Sequence, residues 1–290
     1  MKTLLFLAIF LSPMFIFAQD DISSMLDSMS TPKTDYATAT FKSTRIITAH
    51  SVERMIEGQL EFRISHRFGV LNTGAGNLWG LDQATTFYSL EYGVTDWFEV
   101  GVGRSPIEKT YNGFAKFSIW RQCKGEKNMP VSISLMSEIG INSMPFDNLN
   151  QTNYFSSRLS YVNQVLIARK FSDIFSLQLS PTIIHRNLAP NVLDPNDIYA
   201  MGIGGRVKLS NRISFNAEYF YVQRPFKVTS SYTNALSFGF DIETGGHVFQ
   251  LMLTNAQGIY EKHYIGENTG TWKNKDIHLG FNVSRVFTIY

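Results

Sequence analysis

The residues of this chain best equipped for chemistry are charged side chains embedded in alternating apolar and polar stretches. Glu61, Arg63 and Arg67 sit in GQLEFRISHRFG, and Glu91, Glu99, Lys116, Glu138, Arg158, Arg206, Lys208, Glu218, Asp241 and Glu243 recur in similar surroundings. Acids and bases are interleaved along this series. Their natural chemistry is mutual neutralisation within a polar interior, whereas a strongly selective ion path would carry one dominant sign.

Other reactive groups are scarce. The six histidines, His50, His66, His185, His247, His263 and His278, include no i, i+4 pair and no cysteine-rich cluster, so no metal ligand set is expected. There is no Gly-x-Ser-x-Gly elbow and no recognisable Ser, His and acid trio, so no catalytic residue and no cofactor is assigned. Gly101-Val102-Gly103 and Gly202 to Gly205 lie inside alternating stretches with no helix to follow, and read as curvature in a sheet rather than as a phosphate loop. A single cysteine, Cys123, in the polar turn Arg121 to Asn128, excludes an internal disulfide. A net charge of +2 with no long charged block makes nucleic acid a poor partner.

The elements that carry these charges follow from a period of two, the signature of strands. In Gly58 to Gly69, Leu60, Phe62, Ile64 and Phe68 share one face with His66 as the exception, and Glu61, Arg63, Ser65 and Arg67 share the other. The same parity recurs through Phe98 to Gly103, Ala115 to Ile119, Val131 to Ile141, Leu159 to Ile167, Phe175 to Ile183, Arg206 to Leu209, Ile213 to Tyr221, Leu236 to Glu243, Phe249 to Thr254 and Ile277 to Ser284. Runs of about nine to twelve residues suit tilted strands crossing a bilayer, while soluble sandwiches use shorter ones. Charge on a lipid face would cost roughly 2–4 kcal/mol at midplane for Arg or Lys, which assigns the charged parity to a lumen.

Link lengths alternate. Val94-Thr95-Asp96, Ser210-Asn211-Arg212 and Thr244-Gly245-Gly246 are tight. Val70 to Ala84, Asn142 to Asn153, Asn187 to Asp197, Arg224 to Thr233 and Gln257 to Lys275 are long, with Ser105 to Thr110 a short exception. Short periplasmic turns and long external loops alternate in this way in membrane barrels. The fold class is therefore all-β, an antiparallel, closed transmembrane barrel of about twelve strands spanning 58–290.

The N-terminal end supplies an address. Lys2, the apolar run Leu4 to Ala18 and the abrupt Gln19-Asp20-Asp21 form a secretory signal over 1–18, with cleavage expected after Ala18. Residues 19–57 form a leader. Its block Phe41 to Glu53 reads by default as an extra strand or periplasmic lead-in. The sharper alternative tucks Arg45, His50, Glu53 and Arg54 into the lumen against the inward charges. The chain finishes a strand on Phe287-Thr288-Ile289-Tyr290, suited to barrel assembly machinery that reads a last strand.

FKSTRIITAHSVE (Phe41 to Glu53), LEFRISHRFG (Leu60 to Gly69), EYGVTDWFEVGVGRS (Glu91 to Ser105) and GFNVSRVF (Gly280 to Phe287) together resemble a family of membrane-bound β-barrel domains from Gram-negative bacteria. The resemblance implies an outer-membrane barrel in contact with lipid. It attaches no ligand or mechanism, so no functional residue is carried over. The expected function is a narrow channel or transport barrel for small solutes. The alternatives are a structural or docking barrel with a plugged lumen and a periplasmic partner, and a barrel-borne hydrolase.

Overall fold

The computed structural model describes residues 33–146, 152–224 and 231–289; the signal segment and its cleavage point lie outside them. The barrel strands are β1 Gln59–Val70, β2 Ala84–Thr95, β3 Phe98–Arg104, β4 Tyr111–Trp120, β5 Ser132–Ile141, β6 Leu159–Lys170, β7 Phe175–Arg186, β8 Asp197–Lys208, β9 Ile213–Gln223, β10 Leu236–Thr244, β11 His247–Thr254 and β12 His278–Thr288. Each pairs antiparallel with its sequence neighbours. β12 returns to β1 from His278↔Val70 to Thr288↔Gln59, so twelve strands close with no free edge.

Parity does the sorting of side chains. In β1, Glu61, Arg63, Ser65 and Arg67 are buried inside while Phe62 points outward. The outer face carries Leu90, Val102, Ile139, Leu179, Ile203, Phe240 and Leu253, all exposed, as a lipid-facing wall requires. His66 stays on that outer face. Its ring stacks on Phe281 at 4.9 Å and Nδ1 meets Thr86 Oγ1 at 3.0 Å.

Links at one end are Asp96-Trp97 and the stretches 171–174, 209–212 and 245–246; those at the other are mostly long. The link 121–131 is longer than its short-end companions because Cys123–Lys124 pairs there with Asp35–Tyr36, tying the incoming chain to the rim. The short link after β3 folds as a 3-10 turn, Ile107–Lys109, with Glu108 at φ 52°. No helix of the described residues is long and apolar enough to cross a membrane.

Two segments fill the interior. Residues 37–57 enter from the short-turn end, reverse, and return to β1. The link between β11 and β12 bends inward from the long-loop end and carries buried Ile259, Tyr260, Tyr264 and Ile265 around a π-helical turn, Lys262–Gly266. The wall makes room for each at a glycine. A Cβ on Gly204 would lie 2.4 Å from Ile46 Cδ1, and one on Gly140 would lie 2.3 Å from Tyr260 Oη.

Candidate functional site

The reversal of 37–57 is a tight hairpin. Ile46 N–H donates to Ala49 O at 2.8 Å and Ser51 N–H to Thr44 O at 2.9 Å, closing a turn over Ile46-Ile47-Thr48-Ala49. A turn buried this deeply must find partners for its outward amides. The wall supplies them. Glu218 of β9 accepts from the N–H groups of Ile47, Thr48 and Ala49 at 3.1, 3.0 and 3.1 Å, so one carboxylate gathers the whole crest. Gln250 of β11 donates to Ile46 O at 3.0 Å, and Asn282 of β12 donates to Ile47 O at 2.8 Å. Gln178 of β7 spans the returning limb, accepting from Val52 N–H at 2.9 Å and donating to His50 O at 2.7 Å. Arg67 of β1 reaches Thr48 Oγ1 at 3.0 Å.

Below the crest the inward charges pair with the hairpin and with each other. Arg63 donates to Ser43, Thr44 and Glu61 at 2.7, 2.8 and 2.8 Å. Lys116 meets Glu99 at 3.1 Å and also donates to Glu53 O at 2.8 Å. Arg206 donates to Ala39 O at 2.8 Å, Lys42 pairs with Glu243, and Asp241 accepts from Gln250 at 2.8 Å. At the rim, Arg54 donates to Asp96 O. Lys208 is half-buried at the short-turn end of β8. Arg158 lies at the opposite end. It precedes β6 in a 3-10 turn, donates to the carbonyls of Asn142 and Met144, and stands 3.8 Å above the Phe146 ring.

The hairpin and the inward loop meet at the centre. Arg45 Nη2 lies 2.9 Å from Glu91, and its Nη1 lies 2.6 Å from His50 Nδ1. A guanidinium can only donate, so Nδ1 accepts and the ring proton sits on Nε2. Burial, reinforced by the Arg45 charge, holds the His50 ring well below the usual histidine range and keeps it neutral. His50 Nε2 then faces Glu261 of the inward loop at 3.6 Å. Nearby, Tyr260 Oη meets Ser160 Oγ at 3.0 Å and the Tyr264 ring packs edge-on to Phe220.

At the long-loop mouth, Lys262 bridges Glu108 and Glu267, His263 Nε2 lies 3.3 Å from Glu108, and Arg186 meets Glu267 at 2.8 Å. Burial raises the Glu108 carboxyl, but its hydrogen bond to His263 and the Lys262 charge outweigh that and hold it at about 2. This bridge separates two vestibules of about 380 and 370 Å³. A third cavity of about 320 Å³ lies between the hairpin limbs at the short-turn end.

Among the described residues, two groups of three His and Glu side chains have ligand atoms within 4.8 Å of one another: His50, Glu138 and Glu261, and Glu108, His263 and Glu267. The second already holds the Lys262 ammonium. The first has Nε2 of His50 protonated by the Arg45 contact. Neither therefore presents a set of free lone pairs to a metal.

Arg45, His50, Glu53 and Arg54 thus fall on the hairpin, inside the barrel or at its rim, rather than in an added strand or a periplasmic lead-in. The inward loop and the residues that hold the hairpin backbone, Gln178, Gln250, Asn282 and also Asn216, which donates to Ile46 O at 3.2 Å, were not among the sequence candidates. Their signal was uncharged polarity at inward parity, which resembles ordinary lumen lining.

The family model for a membrane bound beta barrel domain (DUF5777) matches residues 41–287, and the chain belongs to that family. The match begins at Phe41 and so takes in the hairpin as well as the strands. No curated protein matches the chain. Among solved structures it is similar to the NanC porin, at 9% identity over 79% of this chain and 98% of that one with a TM-score of 0.46. It is likewise similar to the KdgM porin, at 9% identity, 80% and 99% coverage and a TM-score of 0.47. The outer membrane protein Omp33 of Acinetobacter baumannii is similar at 11% identity, 80% and 99% coverage and a TM-score of 0.42.

Proposed function

We propose that this member of the membrane-bound barrel family is a narrow channel for small polar solutes in a Gram-negative outer membrane, closed at rest by its own N-terminal hairpin together with the inward loop. The observation that carries this reading is the lumen itself. It is wide enough to hold two passes of polypeptide, and its wall presents hydrogen-bonding side chains that satisfy a polar backbone in place of water. A space of that width and polarity, once vacated, admits hydrated small molecules. The hairpin is rooted at the short-turn end only, so it can leave without breaking an interstrand hydrogen bond once the inward side chains release its backbone.

A second reading has its own support. The hairpin crest is so fully satisfied by Glu218, Gln250, Asn282 and Gln178 that a permanently filled structural barrel would look the same.

Planar-bilayer recording of wild-type protein and of a variant lacking residues 37–54 separates the two. The channel reading expects rare openings from the wild type and larger, longer-lived openings from the variant, in which the inward loop alone narrows the path. Silence from a variant shown to be folded by heat-modifiable gel mobility would leave the structural barrel in its place.

A further inference from the structure

The centre of the lumen carries more acid than base. Glu91 from β2, Glu99 from β3, Glu138 from β5 and Glu261 from the inward loop all act on the Arg45 guanidinium. Lys116 of β4 is the other cation of the group, bound to Glu99. Glu61 and Arg63 of β1 cancel as their own pair at 2.8 Å. His50 is neutral, and Glu218 is turned toward the hairpin crest. Four carboxyls therefore face two cations in a space closed to water.

The imbalance is concentrated at one contact. Glu138 and Glu261 have carboxyl oxygens within 4.8 Å of each other, and both residues are buried. The Arg45 guanidinium makes its close contacts with Glu91 and His50, and reaches Thr44 O at 3.5 Å. Asn112 of β4 donates to Glu138, and Glu138 Oε2 has no partner among the described residues. Two ionised carboxylates this close in a buried site repel, and the arrangement is relieved when one of them is protonated and donates to the other.

We propose that Glu138 and Glu261 share one proton, and that this proton holds the inward loop in the lumen. The proposal rests on the closed-channel reading only for its consequence, since loss of the proton would clear one of the two segments that fill the path. The direction follows from where the charges sit. Deprotonation sets Glu261 against Glu138 and Glu91, and so pushes out the loop that carries Glu261. The same change strengthens the hold on Arg45, so the hairpin stays. Burial raises the Glu261 carboxyl, so its proton is lost at higher pH than from an ordinary carboxyl. A group whose folded value is raised stabilises the fold below its ordinary value and ceases to do so as pH rises through the folded one.

Infrared spectroscopy of the intact, folded protein tests the proton directly. The wild type should show a protonated-carboxyl C=O band at neutral pH that fades toward alkaline pH. Glu138→Gln and Glu261→Gln should each lose a component of it. Trypsin reads the loop: cleavage after Lys262 should rise at least tenfold from neutral to alkaline pH in the wild type and stay low in Glu138→Gln, whose amide cannot ionise. A wild-type spectrum with no such band at neutral pH overturns the proposal. So does a band unchanged in both variants, or a stoichiometric divalent cation found at the site in its place. Failure of the hairpin-deleted barrel to conduct would remove the channel reading and leave these measurements standing.

Discussion

Replacing Glu218 with alanine should release the hairpin crest while leaving the barrel closed. The carboxylate accepts three backbone N–H groups at 3.0–3.1 Å in a buried setting. Hydrogen bonds to charged groups contribute about 1.5–3 kcal/mol each, and a buried donor left without a partner costs about 1–3 kcal/mol. Simple addition overstates the effect, because the substitution also removes the burial cost of the carboxylate and lets water reach some of the amides. The docked hairpin should therefore weaken by about 3–5 kcal/mol, which at 1.4 kcal/mol per tenfold is roughly two to three and a half powers of ten in its opening equilibrium. Glu218→Gln keeps one acceptor oxygen and should lose less than half as much. Hydrogen exchange of 41–52 in detergent-solubilised protein measures this, with the amides of Ile47, Thr48 and Ala49 the most affected and β1 to β12 unchanged. Protection at those three amides within twofold of wild type in Glu218→Ala would refute the reasoning.

Three further perturbations probe the rest of the interior. Arg45→Met strips Glu91 and His50 of their shared partner, and breaking one side of a buried ion pair should cost about 3–5 kcal/mol, read as a lower urea midpoint for loss of heat-modifiable mobility. Gly204→Val and Gly140→Val should act separately, the first expelling the hairpin at Ile46 and the second the inward loop at Tyr260, each seen as protease cleavage confined to one segment. The Glu108 bridge should weaken progressively in acid: a carboxyl held at about 2 stabilises the fold fully above its ordinary value of 4.5 and loses that contribution as pH falls from there through about 2. Hydrogen exchange in Lys262–Gly266, corrected for intrinsic rate, should quicken steadily over that range, while Glu108→Gln loosens it at neutral pH.

The strands were legible because period-two alternation is a local property. Each inward residue of β1 is displayed by its immediate neighbours, and a slip of one position would have sent Arg63 and Arg67 into lipid. The hairpin was not legible in that way. FKSTRIITAHSVE holds apolar and polar residues in no fixed period, since its contacts are set by a cavity that surrounds it on every side. Its default assignment outside the barrel missed a pairing that exists only once distant strands converge, with Glu218 lying 170 residues from Thr48. The inward loop was read as external from its length and its place in the alternation of short and long links. The cluster Ile259, Tyr260, Tyr264 and Ile265 was the mark of burial within it, too short to show a period. Glu138 was placed at inward parity, but its partner Glu261 belonged to that loop and stayed out of view.

The hairpin also bears on how the molecule is built. Its contacts come from β1, β7, β9, β11 and β12, strands distributed round most of the circumference, and it precedes all of them in the chain. A wall closed without it would leave Glu218, Gln178 and Asn282 to water and would then have to admit a folded turn through its mouth. Gathering strands about a turn already present avoids both steps. The segment that fills the lumen then doubles as the former on which the wall is shaped, and barrels truncated before β1 should close more slowly as well as stand more open.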